Sequence, residues 1–194
     1  MHHIYHTHGF ILGSVGHGEA NKTLVIYTRE LGLVRARAQG IRLAKSKLRF
    51  GLQDFSYAKI DLVRGKDVWR VTSGSTVDSF PFARANRNTL LLIAQISKLI
   101  ERLCNGEEAN SRIFDEIIQA FYLLDNPDIK KETCESIEMY LVLRIVHNLG
   151  YVGDSDLLVK YLGDEFNKDQ LDSILTEKGN ILGHINKALR ESQL

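Results

Sequence analysis

The spacing of apolar residues changes period once along this chain, at Phe80-Pro81-Phe82, and that change limits what it can fold into. Before it, Phe10-Ile11-Leu12, Thr23-Leu24-Val25-Ile26-Tyr27 and the stretch from Phe55 to Val63 are short runs rich in β-branched and aromatic residues. Nine of the 15 glycines punctuate these first 80 residues, and no helical period intervenes. Many short strands with glycine turns predict a small sandwich or barrel. Five strands are expected, over about 8–15, 22–29, 32–40, 53–64 and 67–73. Beyond Pro81 the spacing turns helical: Leu92, Ile96, Leu99 and Leu103 line one face, widened by Ile93 and Ile100. Asn105-Gly106 is a stop signal. A second helix over about 111–124 turns Phe114, Ile117, Ile118 and Phe121 inward and ends before Asn126-Pro127. A third runs over about 131–148 with Gly150 past its end, and shorter pieces follow near 155–162, 168–177 and 181–190. The reading is α+β: an all-β domain over 1–80 and an all-α helical domain over 81–194.

Charge divides at the same place. The chain is nearly neutral, at +1, yet residues 1–80 hold 12 Lys and Arg against 6 Asp and Glu, and residues 81–194 hold 13 against 18. The excess concentrates in Gly32 to Gly51, which carries Arg35, Arg37, Arg42, Lys45, Lys47 and Arg49 and no acidic residue. Within Val34-Arg35-Ala36-Arg37-Ala38-Gln39, strand alternation sends Val34, Ala36 and Ala38 to the core and Arg35, Arg37 and Gln39 to water. Two arginines about 7 Å apart on one face approach the spacing of successive phosphates in an extended strand. Uncompensated cations this close repel one another, and a polyanion relieves the repulsion while releasing its counterions. Lys22 and Arg29 are further candidates for the same role.

Aromatic residues interleave with this charge. Phe55, Tyr57 and Lys59 are expected on the exposed face of the fourth strand, which offers two rings for stacking on unpaired bases. Phe50, Trp69 and Tyr27 lie nearby in sequence or in other strands. Aromatics in small barrels are more often core than platform, so none is singled out.

Other chemistry is not encoded. Gly13 to Gly18 is followed by Glu19-Ala20, so Lys22-Thr23 arrives too late for a phosphate loop, and Gly16-His17-Gly18 lacks the third glycine of a dinucleotide fingerprint. His2, His3, His6 and His8 crowd the start; His6 and His8 would share a strand face, but an exposed cluster is the better reading than a metal pair. Cys104 and Cys134, thirty residues apart, form no ligand spacing and read as small apolar fillers in a reducing compartment. No targeting signal and no apolar run of membrane length is visible, so a cytoplasmic, nucleoid-associated protein is expected. No catalytic site, metal or cofactor is expected.

Several short motifs, taken in order, resemble the bacterial RecO family of recombination mediators. They are Gly18-Glu19-Ala20-Asn21-Lys22, Thr28-Arg29-Glu30-Leu31-Gly32, the run Ala38-Gln39-Gly40-Ile41-Arg42 to Lys45-Ser46-Lys47, "LQDFSYAKIDLVRG" at 52–65 and "VDSF" at 77–80. Farther on, "LRIVHNLGY" at 143–151 resembles the end of the family's central helix. The resemblance implies an N-terminal OB-fold followed by a helical domain, and a non-enzymatic function. It implies binding of single- and double-stranded DNA, annealing of complementary strands, and assisted loading of RecA onto strands coated by single-strand binding protein. It also implies RecR and that single-strand binding protein as partners. Many family members carry a four-cysteine zinc site after the central helix; "VGDSDLLVKYLGDEFNKDQLDSIL" has no cysteine, so no zinc finger is expected. The alternative is a protein–protein adaptor whose β-domain binds no DNA.

Overall fold

The computed structural model describes residues 3–104, 106–153, 156–163 and 168–191. Five strands, β1 (Ile4–His17), β2 (Asn21–Thr28), β3 (Gly32–Ala38), β4 (Tyr57–Arg64) and β5 (Trp69–Asp78), close into a barrel in the order β1-β2-β3-β5-β4. β4 pairs back onto β1, and every pairing is antiparallel except the short parallel contact of β3 with β5. This is a five-stranded, OB-like barrel: the strand count and glycine turns predict a small sandwich or barrel, and the family resemblance implies the OB-fold. Its interior is filled by Ile11, Leu24, Ile26, Val34, Ala36, Ala38, Ala58, Ile60, Leu62, Trp69 and Val71, with Ile41 and Leu52 from the β3–β4 connection.

β1 starts at Ile4, four residues before the expected limit, because it goes on pairing with β4 as far as Val63. Three further strand limits also differ from expectation, each for a local reason. β3 stops at Ala38 because Gly40 turns the chain with φ 67°. β4 starts at Tyr57, four residues late, because Phe55 is left-handed at φ 61° and Ser56 closes a turn onto the Gln53 carbonyl. Phe55 therefore does not share a strand face with Tyr57 and Lys59. β5 runs on to Asp78, where its irregular register lets it follow β4 around the barrel.

The helices are α1 (Leu48–Gly51), α2 (Pro81–Ala85), α3 (Arg87–Leu103), α4 (Ser111–Leu124), α5 (Lys131–Asn148), α6 (Asp156–Val159), α7 (Lys168–Ile174) and α8 (Lys178–Glu191), with a 3-10 turn at Leu175–Glu177. Asn105, half of the expected stop after α3, and His2 lie outside the described residues, as do parts of the segment read as lacking zinc. The chain forms two compact units: residues 1–81 with 93–114, and residues 82–92 with 115–194.

Residues 93–114 belong with the barrel for a reason visible in its strands. Phe10, Ile11 and Leu12 are buried in succession, as are Leu24, Val25, Ile26 and Tyr27. Alternate residues face opposite ways, so this part of the sheet is covered on both sides. Phe114 packs its ring 6.2 Å from that of Tyr27, whose hydroxyl donates to the Asn110 carbonyl at 3.5 Å. Leu33 N–H donates to the Gly106 carbonyl at 3.1 Å. Gly32 is what allows this approach: a Cβ there would lie 2.4 Å from the Glu108 carbonyl oxygen.

In the helical unit α5 is buried on nearly all sides and packs against α7 and α8. At its centre Arg144 is 1% exposed. Its guanidinium donates to Glu116 Oε1 at 2.5 Å and to the Tyr161 carbonyl at 2.9 Å, while Asn148 Nδ2 donates to Glu116 Oε2 at 3.2 Å.

Candidate nucleic-acid interface

Strand alternation in β3 sets Arg35 and Arg37 on the outer surface, with Val34, Ala36 and Ala38 buried beneath. The two arginines then part company. Arg35 Nη2 donates to Glu101 Oε1 of α3 at 2.6 Å, so this cation is already paired. Arg37 is exposed, and no acidic partner lies against it among the described residues. Its register neighbour across the parallel β3–β5 contact is Arg70, also exposed and also without an acidic partner among the described residues. Like charges on adjacent strands destabilise a sheet, so this pair stores repulsion that an anion would relieve. Arg70 escaped the sequence reading because it stands 33 residues from Arg37 and carries no local charge cluster; only the strand pairing joins them.

The β3–β4 connection holds the next three cations. Lys45, Lys47 and Arg49 are exposed and have no acidic partner among the described residues. The loop is nonetheless well tied. Leu43 N–H donates to Gly40, Ser46 N–H to Leu43 and Arg49 N–H to Ser46. Ile41 and Leu52 plug both of its ends into the barrel core. Arg42 is pinned to the β1–β2 turn: its Nη1 donates to the Gly18 carbonyl at 2.8 Å and its backbone N–H to Ala20. Lys22, at the start of β2, donates to Ser14 Oγ at 3.0 Å and pairs in register with Ala38. Lys22, Arg42 and the β3 end thus gather at one end of the barrel. Arg29 does not join them. It sits past the far end of β2, about 23 Å away along the strand, beside Glu30 and with its N–H on the His8 carbonyl.

The aromatic candidates are sorted by burial. Tyr27 is 1% exposed and Trp69 5%. Trp69 Nε1 donates to Glu107 Oε1 at 2.8 Å, and the same carboxylate pairs with Arg64, whose guanidinium lies over the indole. Burial pushes the Tyr27 phenol far above its ordinary range and the neighbouring Cys104 thiol up to about 11, the Tyr27 hydrogen bond opposing the latter shift. That thiol is an inert core group, as the sequence suggests, whereas Cys134 is only half-buried. Tyr57 is half-buried between His8 and Phe114, at 5.8 and 6.0 Å. Phe55 is half-buried in its turn. Phe50 alone of these is largely open, at 69%.

His6 and His8 go different ways: His6 Nδ1 lies 2.6 Å from Asp61 Oδ1, while His8 packs on Tyr57. Among the described residues no group of three or more His, Cys, Asp or Glu is arranged to hold a metal ion. No described helix is long and apolar enough to cross a membrane.

Residues 1–80 match the family described as recombination protein O N terminal. Across 127 residues the chain is 31% identical to the DNA repair protein RecO of Alkaliphilus metalliredigens, covering 66% of this chain and 52% of that protein. It is 30% identical over 149 residues to the DNA repair protein RecO of Dehalococcoides mccartyi, covering 77% and 57%. With that of Rubrobacter xylanophilus it shares 29% over 161 residues, covering 83% and 63%. The chain spans about half the length of the first two of these curated relatives. A barrel matched along its whole first 80 residues, and relatives whose likeness runs well into the helices beyond it, lead to one conclusion: the chain belongs to the RecO family.

Proposed function

We propose that the barrel binds DNA through phosphate contacts and that the protein acts, without catalysis, as a recombination mediator in DNA repair. The observation that carries this reading is the set of exposed cations without acidic partners among the described residues: Arg37, Arg70, Lys45, Lys47 and Arg49. Arg42 and Lys22 stand at the adjoining end, Arg35 enters by exchanging Glu101 for a phosphate, and Arg29 contributes from the far end. Such contacts position a strand without reading its sequence. In keeping with the family, single and double strands are substrates, and annealing of complementary strands follows from neutralising both backbones. RecR and single-strand binding protein are the protein partners in this reading, and RecA gains access to the strand indirectly. The DNA-binding module is taken to end near residue 80, where the basic excess ends.

Fluorescence anisotropy with a single-stranded oligonucleotide tests the electrostatic core of this proposal. With four to six phosphates neutralised, log Kd against log salt should have a slope of magnitude about 3–4, from roughly 0.7 per contact. The triple variant K45A/K47A/R49A should lower that magnitude by about 2. A flat salt response in the wild type would exclude the mechanism.

The Arg35–Glu101 pair makes a finer prediction. R37A is expected to weaken binding more than R35A, because Arg35 must first surrender a carboxylate. E101Q should tighten binding by about 2–5-fold, since an exposed ion pair of this kind is worth at most about 1 kcal/mol. Equal losses in R35A and R37A, with no gain in E101Q, would mean that Glu101 does not compete with the strand. The pairing of Arg35 with Glu101 and Arg64 with Glu107 is also the observation that favours the adaptor reading, because in both pairs an arginine of the barrel donates to a protein carboxylate.

A further inference from the structure

Phe50 is exposed without being loose. Its carbonyl and that of Gly51 both accept from Thr76 Oγ1 of β5, at 3.3 and 3.0 Å. Leu52 N–H donates to the Leu48 carbonyl at 3.0 Å, and Leu52, 2% exposed, is wedged into the barrel core with Leu48 beside it. Gly51 and Gly74 let the two backbones meet: a Cβ on Gly51 would lie 2.8 Å from the Gly74 carbonyl oxygen, and one on Gly74 would strike Leu52. The backbone of Phe50 and Gly51 is therefore tied to β5, and the ring is held out into water at 69% exposure. Leaving a phenyl ring in water forgoes the stabilisation that burial gives every other aromatic of the barrel, so its position is unfavourable for folding alone.

Its surroundings are cationic. The Arg49 guanidinium carbon lies 5.9 Å from the ring centroid, and Lys45 and Lys47 precede it in the same tied loop. A flat apolar face beside a cation that has no acidic partner among the described residues matches an unpaired nucleotide, whose base offers a π-face and whose backbone offers a phosphate. A duplex offers only the phosphates, because its bases are already stacked on one another. We propose that Phe50 stacks on an unpaired base, making the β3–β4 loop the element that favours single over double strands. This rests on the DNA-binding reading above and adds the strand preference to it.

The test uses the full chain with a fluorescein-labelled 15-nucleotide oligothymidylate and a mixed-sequence 15-base-pair duplex. Stacking on one base is worth about 1–3 kcal/mol by alanine substitution, so F50A should weaken binding to the single strand by about 5–150-fold. Duplex affinity and the salt slope should stay within about twofold and within error of wild type, because no charge is removed. F50Y and F50W should retain affinity. F50L keeps apolar bulk without a π-face, and it should fall with F50A. Since the ring is exposed, F50A should melt like wild type, and circular dichroism checks this. Equal loss on both DNAs, no loss in F50A, or full retention in F50L would each overturn the stacking assignment while leaving phosphate binding intact. Failure of the wild type to bind either DNA would remove both readings together.

Discussion

Replacing Glu116 with alanine is expected to destabilise the protein by about 3–5 kcal/mol, because it leaves the Arg144 guanidinium buried and uncompensated. Arg144 and Glu116 have side chains that are 1% and 6% exposed, with the charged atoms 2.5 Å apart. The cost of stripping water from both charges is already met in the folded state by their mutual attraction and by the Tyr161 carbonyl and Asn148 amide. Removing one partner keeps the cost and loses the compensation. In urea the helical transition should shift down by about 1.5–2.5 M, given a slope of roughly 2 kcal/mol per molar for a chain of this size. The double variant E116L/R144M should recover most of the loss, since an apolar pair of similar volume removes the desolvation cost as well. A loss below about 1 kcal/mol in E116A would show that water reaches the pair in solution.

Substituting Gly32 with alanine should also be costly, and a second glycine separates the reasons. Gly18 and Gly32 both have positive φ, 63° and 71°, which disfavours any L side chain by about 1–2 kcal/mol. A Cβ at Gly18 would meet nothing within 4 Å, whereas at Gly32 it would lie 2.4 Å from one backbone atom of Glu108 and 2.7 Å from two more. G18A is therefore expected to cost about 1–2 kcal/mol, and G32A at least about 3. The excess should report on the docking of residues 106–114 against the barrel. In G32A the Leu33 amide, which donates to Gly106, should lose hydrogen-exchange protection while the amides at the barrel's centre keep theirs. Equal costs at the two glycines would mean that the segment around Glu108 yields, and that its contact with the turn is weak.

β3 was plain because Val34-Arg35-Ala36-Arg37-Ala38 alternates, and alternation is a direct image of the pleat. The helices were plain because the period of their apolar residues is written locally, and α4 and α5 fall where that period places them. Phe55 misled because its left-handed backbone reflects a turn that alternation does not reveal. The double burial of β1 and β2 was present in Phe10-Ile11-Leu12 and Leu24-Val25-Ile26-Tyr27, whose unbroken apolar runs already call for cover on both faces. What provides that cover, residues 93–114, was not. The sequence places Arg144 inside the apolar run Leu143-Arg144-Ile145-Val146, but nothing near it names Glu116 as its partner.

By itself, then, the order of residues determined a small all-β domain of about five strands, the switch to helices near Pro81 and the cationic run from Arg35 to Arg49, because period and charge density are properties of neighbouring residues. Tertiary structure alone decided which of those cations stay open, that Arg70 stands beside Arg37, that Glu101 holds Arg35, and that Phe50 of the basic loop is exposed. Each of these depends on groups brought together from 26 to 66 positions apart, and no local pattern records such a meeting.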